Sequence, residues 1–143
     1  KNGIEIFREY TNLDGTPLKN PKIGDDVLVK ISFRSSSSNG QNANGLIRNV
    51  AIVDIQPSCL EADIESVREN EKLLGRNIDY VDSREDRIII YASVNNNLSS
   101  FSYRAKLVNS GTFVVPPLFA ECMYNEKINA YSSMGNLEVS KEK

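Results

Sequence analysis

The chain has 143 residues and a formal net charge of −2, with 40% hydrophobic and 25% charged residues. A composition this close to neutral offers nucleic acids and anionic membranes no basic surface to bind. No apolar run approaches the roughly 20 residues that a membrane-spanning helix requires, so we expect no direct membrane insertion. The composition predicts a single globular domain over residues 1–143.

Histidine is absent from the sequence. Its absence excludes nucleophile activation by Ser-His-Asp or Cys-His groupings and removes imidazole as a metal ligand. Asn12, Asp14 and Gly15 have the spacing that begins a calcium loop, but no bidentate Glu follows at the required distance, and the segment is typical of a β-turn. We therefore predict a protein that is not an enzyme and has no catalytic residues, cofactor or metal.

The N-terminal half contains three predicted strands. Residues 3–10 alternate in polarity, and residues 27–33 alternate more strongly. Residues 46–55 are apolar on both faces, with Val50, Ile52 and Asp54 on one side. A strand of this kind is expected at the centre of a sheet.

Two segments in this region depart from the β pattern. Residues 34–45 are rich in Ser, Asn and Gly, so we expect a mobile surface loop there. In residues 60–74, the apolar residues Leu60, Ile64 and Val67 recur at helical spacing among acidic residues. This spacing predicts a short helix or a loosely helical loop that ends near Gly75.

The C-terminal half returns to alternating patterns. Residues 77–82 predict a short strand with Ile78, Tyr80 and Asp82 on one face, and further strands are predicted over residues 87–94, 99–108 and 137–139. The whole chain then contains seven to nine β-runs with turn signals between them. This pattern predicts an all-β fold, an antiparallel β-sandwich of immunoglobulin or fibronectin type III character.

Residues 111–125 combine two β-type runs with a double proline between them. Pro116 and Pro117 cannot donate two successive hydrogen bonds to a sheet, so the sheet must break there or the chain must change partner. The second run ends on Met123 and Tyr124, followed by Asn125. We expect a strand corner that presents an exposed aromatic tip; the alternative is a corner tyrosine whose hydroxyl caps backbone groups.

The two cysteines, Cys59 and Cys122, lie far apart in the sequence. Two buried free thiols and a disulfide are both compatible with this count. The segment Cys59-Leu-Glu-Ala62 is close to the Cys-x-Glu-Gln motif of internal thioester proteins, in which the glutamine side chain acylates the cysteine sulfur. Ala62 has no carboxamide, so no thioester can form at this position.

Several sequence blocks, taken in order, carry a resemblance to a known family. The most specific block runs from Gly111 through Pro116-Pro117 to Ala120-Glu121 and Met123-Tyr124. The others lie at residues 3–10, 14–18, 23–31, 50–57, 80–87, 101–105 and 135–139. Together they resemble the C-terminal macroglobulin-like domain of bacterial α2-macroglobulins. The departures are the Ser/Asn-rich loop and residues 60–74.

The resemblance implies a non-catalytic, C-terminal domain cut from a larger multidomain protein. The parent would be a periplasmic, lipid-anchored, broad-spectrum protease inhibitor that traps its targets through an internal thioester in another domain. The partners of this domain would be the thioester domain of the same chain and, through the parent, the target proteases; the chain would be a monomer. In that family, side chains at the positions of Met123 and Tyr124 keep water away from the thioester, and excluding water protects a reactive acyl group from hydrolysis.

Two other classes of protein fit a β-sandwich. One is a cell-surface or adhesion interaction module. The other is a carbohydrate-binding sandwich, which normally presents several exposed aromatic residues on a concave face; the absence of Trp argues against it.

Overall fold

The computed structural model describes residues 3–36, 45–71, 77–132 and 134–141. Within these ranges the chain forms one helix, α1 (Ile64–Glu71), and eleven strands. The strands are β1 (Ile4–Thr11), β2 (Asp26–Ser35), β3 (Ile47–Ile55), β4 (Leu60–Ala62), β5 (Ile78–Ser83), β6 (Arg87–Val94), β7 (Ser99–Leu107), β8 (Gly111–Val115), β9 (Phe119–Cys122), β10 (Asn125–Tyr131) and β11 (Gly135–Val139).

The strands form two main sheets and a two-stranded ribbon. The first sheet has the order β1-β2-β7-β4, and the second has the order β10-β9-β3-β6-β5. The ribbon pairs β11 with β8. All pairings between these named strands are antiparallel, so the predicted antiparallel sandwich is confirmed.

The hydrophobic core lies between the two sheets and takes side chains from both of them. The inward face of β7 supplies Phe101, Tyr103, Ala105 and Leu107, as its alternation predicts. The central position of β3 is also confirmed, because β9 and β6 pair with its two edges.

The predicted short helix is confirmed as α1, but it begins later than the apolar spacing indicated. Leu60 belongs to β4, which pairs with β7, and only then does the helix begin. Asp63 caps it, since its Oδ1 accepts a hydrogen bond from the backbone N–H of Glu65 at 3.1 Å. Val67 packs into the core. The predicted helix end near Gly75 and most of the predicted Ser/Asn-rich loop lie outside the described residues.

The prediction for β5 was wrong about its faces. A bulge between Ile78 and Tyr80 adds one residue to the strand, so Ile78 and Val81 face the core while Tyr80 is 52% exposed. The alternation rule assumes a regular pleat and cannot anticipate the extra residue.

Strand β10 was not predicted at all. Its sequence, Asn-Glu-Lys-Ile-Asn-Ala-Tyr, is mostly polar and contains residues that are depleted in strands. It lies at the edge of the five-stranded sheet, where it pairs with β9 and makes a single bridge to Gly3, and it buries Ala130 in the core. An edge strand with so little buried surface leaves a weak pattern in the sequence.

No helix in the described part of the chain is both long and apolar enough to cross a membrane. Nor do the described residues contain a group of three or more Cys, Asp or Glu side chains that could hold a metal ion.

The two cysteines are free thiols, and both are buried. Cys59 lies in the turn just before β4 of the first sheet, and Cys122 ends β9 of the second. Burial raises the pKa of the Cys59 thiol, because an apolar environment disfavours the thiolate. Of the two alternatives left open by the sequence, the structure contains the free thiols.

We expect both thiols to resist alkylation in the folded protein, because both side chains are buried and access to them is blocked. Iodoacetamide labelling followed by mass spectrometry should modify neither cysteine in native buffer and both in guanidinium chloride without reductant. A mass lower by two hydrogens and no labelling in denaturant would instead indicate a disulfide.

Candidate interdomain contact site

The double proline is the point at which the chain leaves one sheet for another. Before it, β8 pairs with β11 in the ribbon; after it, β9 pairs with β3 and β10. Leu118 follows the prolines and is fully buried. Its N–H donates to Ser132 Oγ at 2.8 Å, and its carbonyl accepts from the Ser132 N–H at 2.9 Å. The predicted change of partner at Pro116-Pro117 is confirmed.

A buried ion pair anchors the double proline to the core. The guanidinium of Arg8, on β1, donates from Nη1 to Asp54 Oδ1 at 2.7 Å and from Nη2 to the carbonyl oxygen of Pro116. The Arg8 side chain is 5% exposed and that of Asp54 is fully buried. One arginine therefore joins β1, β3 and the start of the segment that leads into β9.

Tyr103 and Gln56 complete the polar cluster around Asp54. The Tyr103 hydroxyl donates to Asp54 Oδ2 at 2.5 Å and accepts from Gln56 Nε2 at 2.6 Å. Burial raises the pKa of the Asp54 carboxyl, against the opposing effects of the Arg8 charge and the hydrogen bond from Tyr103. Burial, followed by the nearby Asp54 charge, raises the pKa of Tyr103 well above its usual value. The cluster spans both sheets.

Tyr10 lies beside this cluster. The Arg8 guanidinium carbon is 5.4 Å from the centre of the Tyr10 ring, a cation–π distance. Burial raises the pKa of the Tyr10 hydroxyl. Among the described residues, its hydroxyl oxygen and Gln56 Oε1 are buried without a hydrogen-bond partner.

Sequence reasoning missed this cluster as a unit. One signal was present: Asp54 falls on the inward side of the otherwise apolar run 50–55. A carboxylate there requires a buried cation or donors, because an unpaired buried charge is too costly. The sequence does not identify which of its basic residues supplies the cation, since the Arg8 partner is 46 positions away.

Met123 and Tyr124, the predicted contact residues, form the two-residue connection between β9 and β10. Cys122 pairs with Asn125 on either side of them. The Met123 N–H donates to the carbonyl of Asn49, next to β9 on β3, at 2.8 Å. Met123 is 47% exposed and Tyr124 is 83% exposed. The expected exposed aromatic tip is therefore present, and we refer to these two residues as the tip.

The corner-tyrosine alternative does not describe Tyr124. Its hydroxyl makes no hydrogen bond to any described residue, and its ring is the most exposed of the large hydrophobic side chains that the structure describes. No ring contact between Tyr124 and another described residue is present in the domain. The arrangement can present an aromatic surface on a short, sheet-supported hairpin, and its contact role stays a prediction.

Comparison with known proteins gives a consistent result. A sequence profile of the bacterial α2-macroglobulin MG10 domain matches residues 3–127. The α2-macroglobulin of Pasteurella multocida is 33% identical over 140 residues, which cover 97% of this chain and 7% of that protein. The α2-macroglobulin homolog of Yersinia pestis is 33% identical over 153 residues, with 92% and 7% covered.

Solved structures agree with the fold. Native α2-macroglobulin from Escherichia coli, spanning domain MG7 to the C-terminus, superposes with a TM-score of 0.81 at 22% identity. The match covers 97% of this chain and 24% of that one. The same protein activated by porcine elastase gives a TM-score of 0.79 at 22% identity, covering 98% of this chain and 13% of that one.

Two packed antiparallel sheets with this strand order define a macroglobulin-like β-sandwich domain. The chain belongs to the bacterial α2-macroglobulin MG10 domain family, because the profile match covers most of its length. It spans about 7% of the length of the curated relatives it matches, and it is a domain of a larger α2-macroglobulin chain.

We expect Arg8→Met to destabilise the domain by about 3–5 kcal/mol, because the change leaves the Asp54 carboxylate buried without its cation. Urea unfolding followed by circular dichroism measures the loss. The matched control is Arg104→Met, which breaks the exposed 3.1 Å pair between Arg104 and Asp63 and should cost less than about 1 kcal/mol. Equal losses for the two variants would contradict the role given to the buried pair.

Proposed function

We propose that this chain is the C-terminal domain of a periplasmic, lipid-anchored bacterial α2-macroglobulin, a protease-trapping inhibitor, and that the domain itself catalyses nothing. In this proposal the tip packs against the thioester region of the parent chain and shields it from water. The observation that carries the proposal is the 83% exposure of Tyr124 on a connection of only two residues.

The chemistry of the tip suits a shield. Tyrosine offers a large flat ring with few rotatable bonds, and methionine adapts its shape to an irregular surface. Burying most of a Tyr side chain of about 150–250 Å² against another domain would contribute about 2–4 kcal/mol, so a docked tip would exclude water for most of the time. A thioester needs such exclusion, because water competes with the intended nucleophile.

The anchoring of the tip supports the same role. The Met123 N–H is held by β3, and the strand leading to the tip starts from a double proline whose carbonyl is bound by Arg8. A shield that fluctuated freely would leave the thioester open for part of the time. The conformational entropy of a fixed hairpin is already lost when the domain folds, so docking of the tip loses less.

The relatives add support for the parent's activity. One solved structure is of the Escherichia coli protein activated by trypsin, and another is of Salmonella α2-macroglobulin reacted with methylamine. A primary amine reacts with an electrophilic acyl group such as a thioester. Membership of this family favours a domain of a protease inhibitor over a general adhesion module.

The test is Tyr124→Gly in the full-length parent. Methylamine nitrogen attacks the thioester carbonyl, an amide forms, the carbon–sulfur bond breaks and the cysteine leaves as a thiol. We expect the rate of methylamine incorporation to rise at least about tenfold, the equivalent of 1.4 kcal/mol of lost shielding. Incorporation is measured with radiolabelled methylamine and, in parallel, by titration of the released thiol; the buried Cys59 and Cys122 do not contribute in the native state.

Leu13→Gly is the matched control, because Leu13 is a 47% exposed apolar residue in the turn between β1 and β2, whereas the tip connects β9 and β10 of the other sheet. This variant should leave the rate unchanged. An unchanged rate in folded Tyr124→Gly would refute the shielding role. A parent that incorporates no methylamine at all, even after proteolysis, would refute it as well.

A further inference from the structure

Part of the outer face of the five-stranded sheet is apolar, although a solvent-facing sheet is usually polar. Antiparallel sheets that cover a core on one side normally present alternating polar residues to water on the other. Here a group of neighbouring outward positions, on β10, β9, β3, β6 and the edge strand β5, carries apolar or aromatic side chains instead. We call this set the outer patch; it consists of Val53, Tyr80, Ile89, Tyr91, Phe119 and Tyr131.

The register of the strands makes the outer patch continuous. Across one row, Tyr131 on β10 is paired with Phe119 on β9, and Phe119 is paired with Val53 on β3. Val53 is paired in turn with Ile89 on β6. In an adjacent row, Tyr91 on β6 is paired with Tyr80 on β5. Side chains in directly paired positions touch across a sheet, so the patch is one surface.

An aromatic pair borders the patch on each side, one stacked and one tilted. The rings of Tyr80 and Tyr91 lie 4.7 Å apart with an interplanar angle of 23°, and those of Phe119 and Tyr131 lie 4.8 Å apart at 43°. Tyr80 is 52% exposed and Tyr131 is 62% exposed. These contacts fix the positions of the outer rings, and fixed aromatic side chains are characteristic of interface centres.

The bulge in β5 gives the patch its shape on that side. It turns Tyr80 outward beside Tyr91, while Ile78 and Val81 pack into the core. Bulges often redirect a side chain that has a task on the surface. In a regular strand without the bulge, Tyr80 would lie on the inner face with Ile78, because residues two apart share a face.

The size of the patch decides between two kinds of occupant. Four strand spacings of about 4.8 Å make it roughly 19 Å wide, and two rows of side chains give a few hundred Å². A stable complex between free proteins needs about 800 Å² from each partner, so the patch alone is too small to hold a second copy of the chain. A partner in the same polypeptide needs less area, because tethering raises its effective concentration to about the millimolar range.

We propose that the outer patch is a docking surface for another domain of the parent chain, separate from the tip. The chain spans about 7% of the length of its curated relatives, so most of such a parent lies outside it. The partner surface should be apolar at its centre and polar at its rim, since Glu121 on one side and the Asp82–Arg84 ion pair on the other continue the two rows of the patch. The proposal does not rest on the shielding role of Tyr124.

The test measures solvent access to Tyr80 and Tyr131 in the full-length parent by hydroxyl-radical labelling and mass spectrometry. Ile89→Lys places a charge at the centre of the patch on a half-buried outward position, without touching the core. We expect labelling of both tyrosines to rise at least about threefold in this variant, because the charge weakens docking of the apolar partner. Val114→Lys is the control: Val114 is 58% exposed on the ribbon, outside the patch, and its substitution should leave labelling unchanged.

Folding is checked by thermal unfolding of each variant. If Ile89→Lys does not fold, Tyr131→Lys replaces it, with labelling of Tyr80 as the signal. Unchanged labelling in a folded variant overturns the proposal. A parent that sediments as a dimer and a variant that sediments as a monomer would also overturn it, because the patch would then bind a second copy. The methylamine rate is recorded in the same variants: failure of the shielding role appears only in that rate, and failure of the docking surface appears only in the labelling.

Discussion

The ion pair between Arg8 and Asp54 is the interaction on which the rest of the arrangement depends. Moving two charges from water into a protein interior costs several kcal/mol for each ion, and their attraction compensates only when every remaining polar atom finds a partner. Here the carboxylate accepts hydrogen bonds from Arg8 and Tyr103, and the guanidinium donates to Asp54 and to the Pro116 carbonyl. The pair therefore acts as a connection between the sheets that tolerates little displacement.

A polar connection of this kind specifies geometry in a way that apolar packing does not. Apolar side chains can slide or repack with modest loss, whereas hydrogen bonds to Asp54 fail within a few tenths of an ångström. The bond to Pro116 ties the direction of the following strand to this cluster. The tip at the end of β9 makes few contacts of its own. Its position is therefore set by residues in the core, about one strand length away.

Much of the fold could be predicted from the sequence, because long alternating runs such as β2 and β7 bury one face and leave the other polar. The apolar character of both faces of β3 correctly indicated a central strand, and the double proline indicated the change of sheet. Strand β10 and the bulge at Tyr80 could not be predicted, since an edge strand buries little and a bulge breaks the period. The exposed tip followed from local sequence, whereas the Arg8–Asp54 pair depends on a contact between distant positions that only the folded chain reveals.

The two buried thiols carry a consequence for where and how the domain can fold. The sheets are held together by apolar packing and one salt-bridged cluster, and the described residues contain no covalent cross-link between them. Folding of this sandwich therefore draws no stability from oxidation and needs neither an oxidant nor a disulfide isomerase. The domain should reach the same structure in a reducing or an oxidising compartment, and its stability is indifferent to the redox conditions on either side of a membrane.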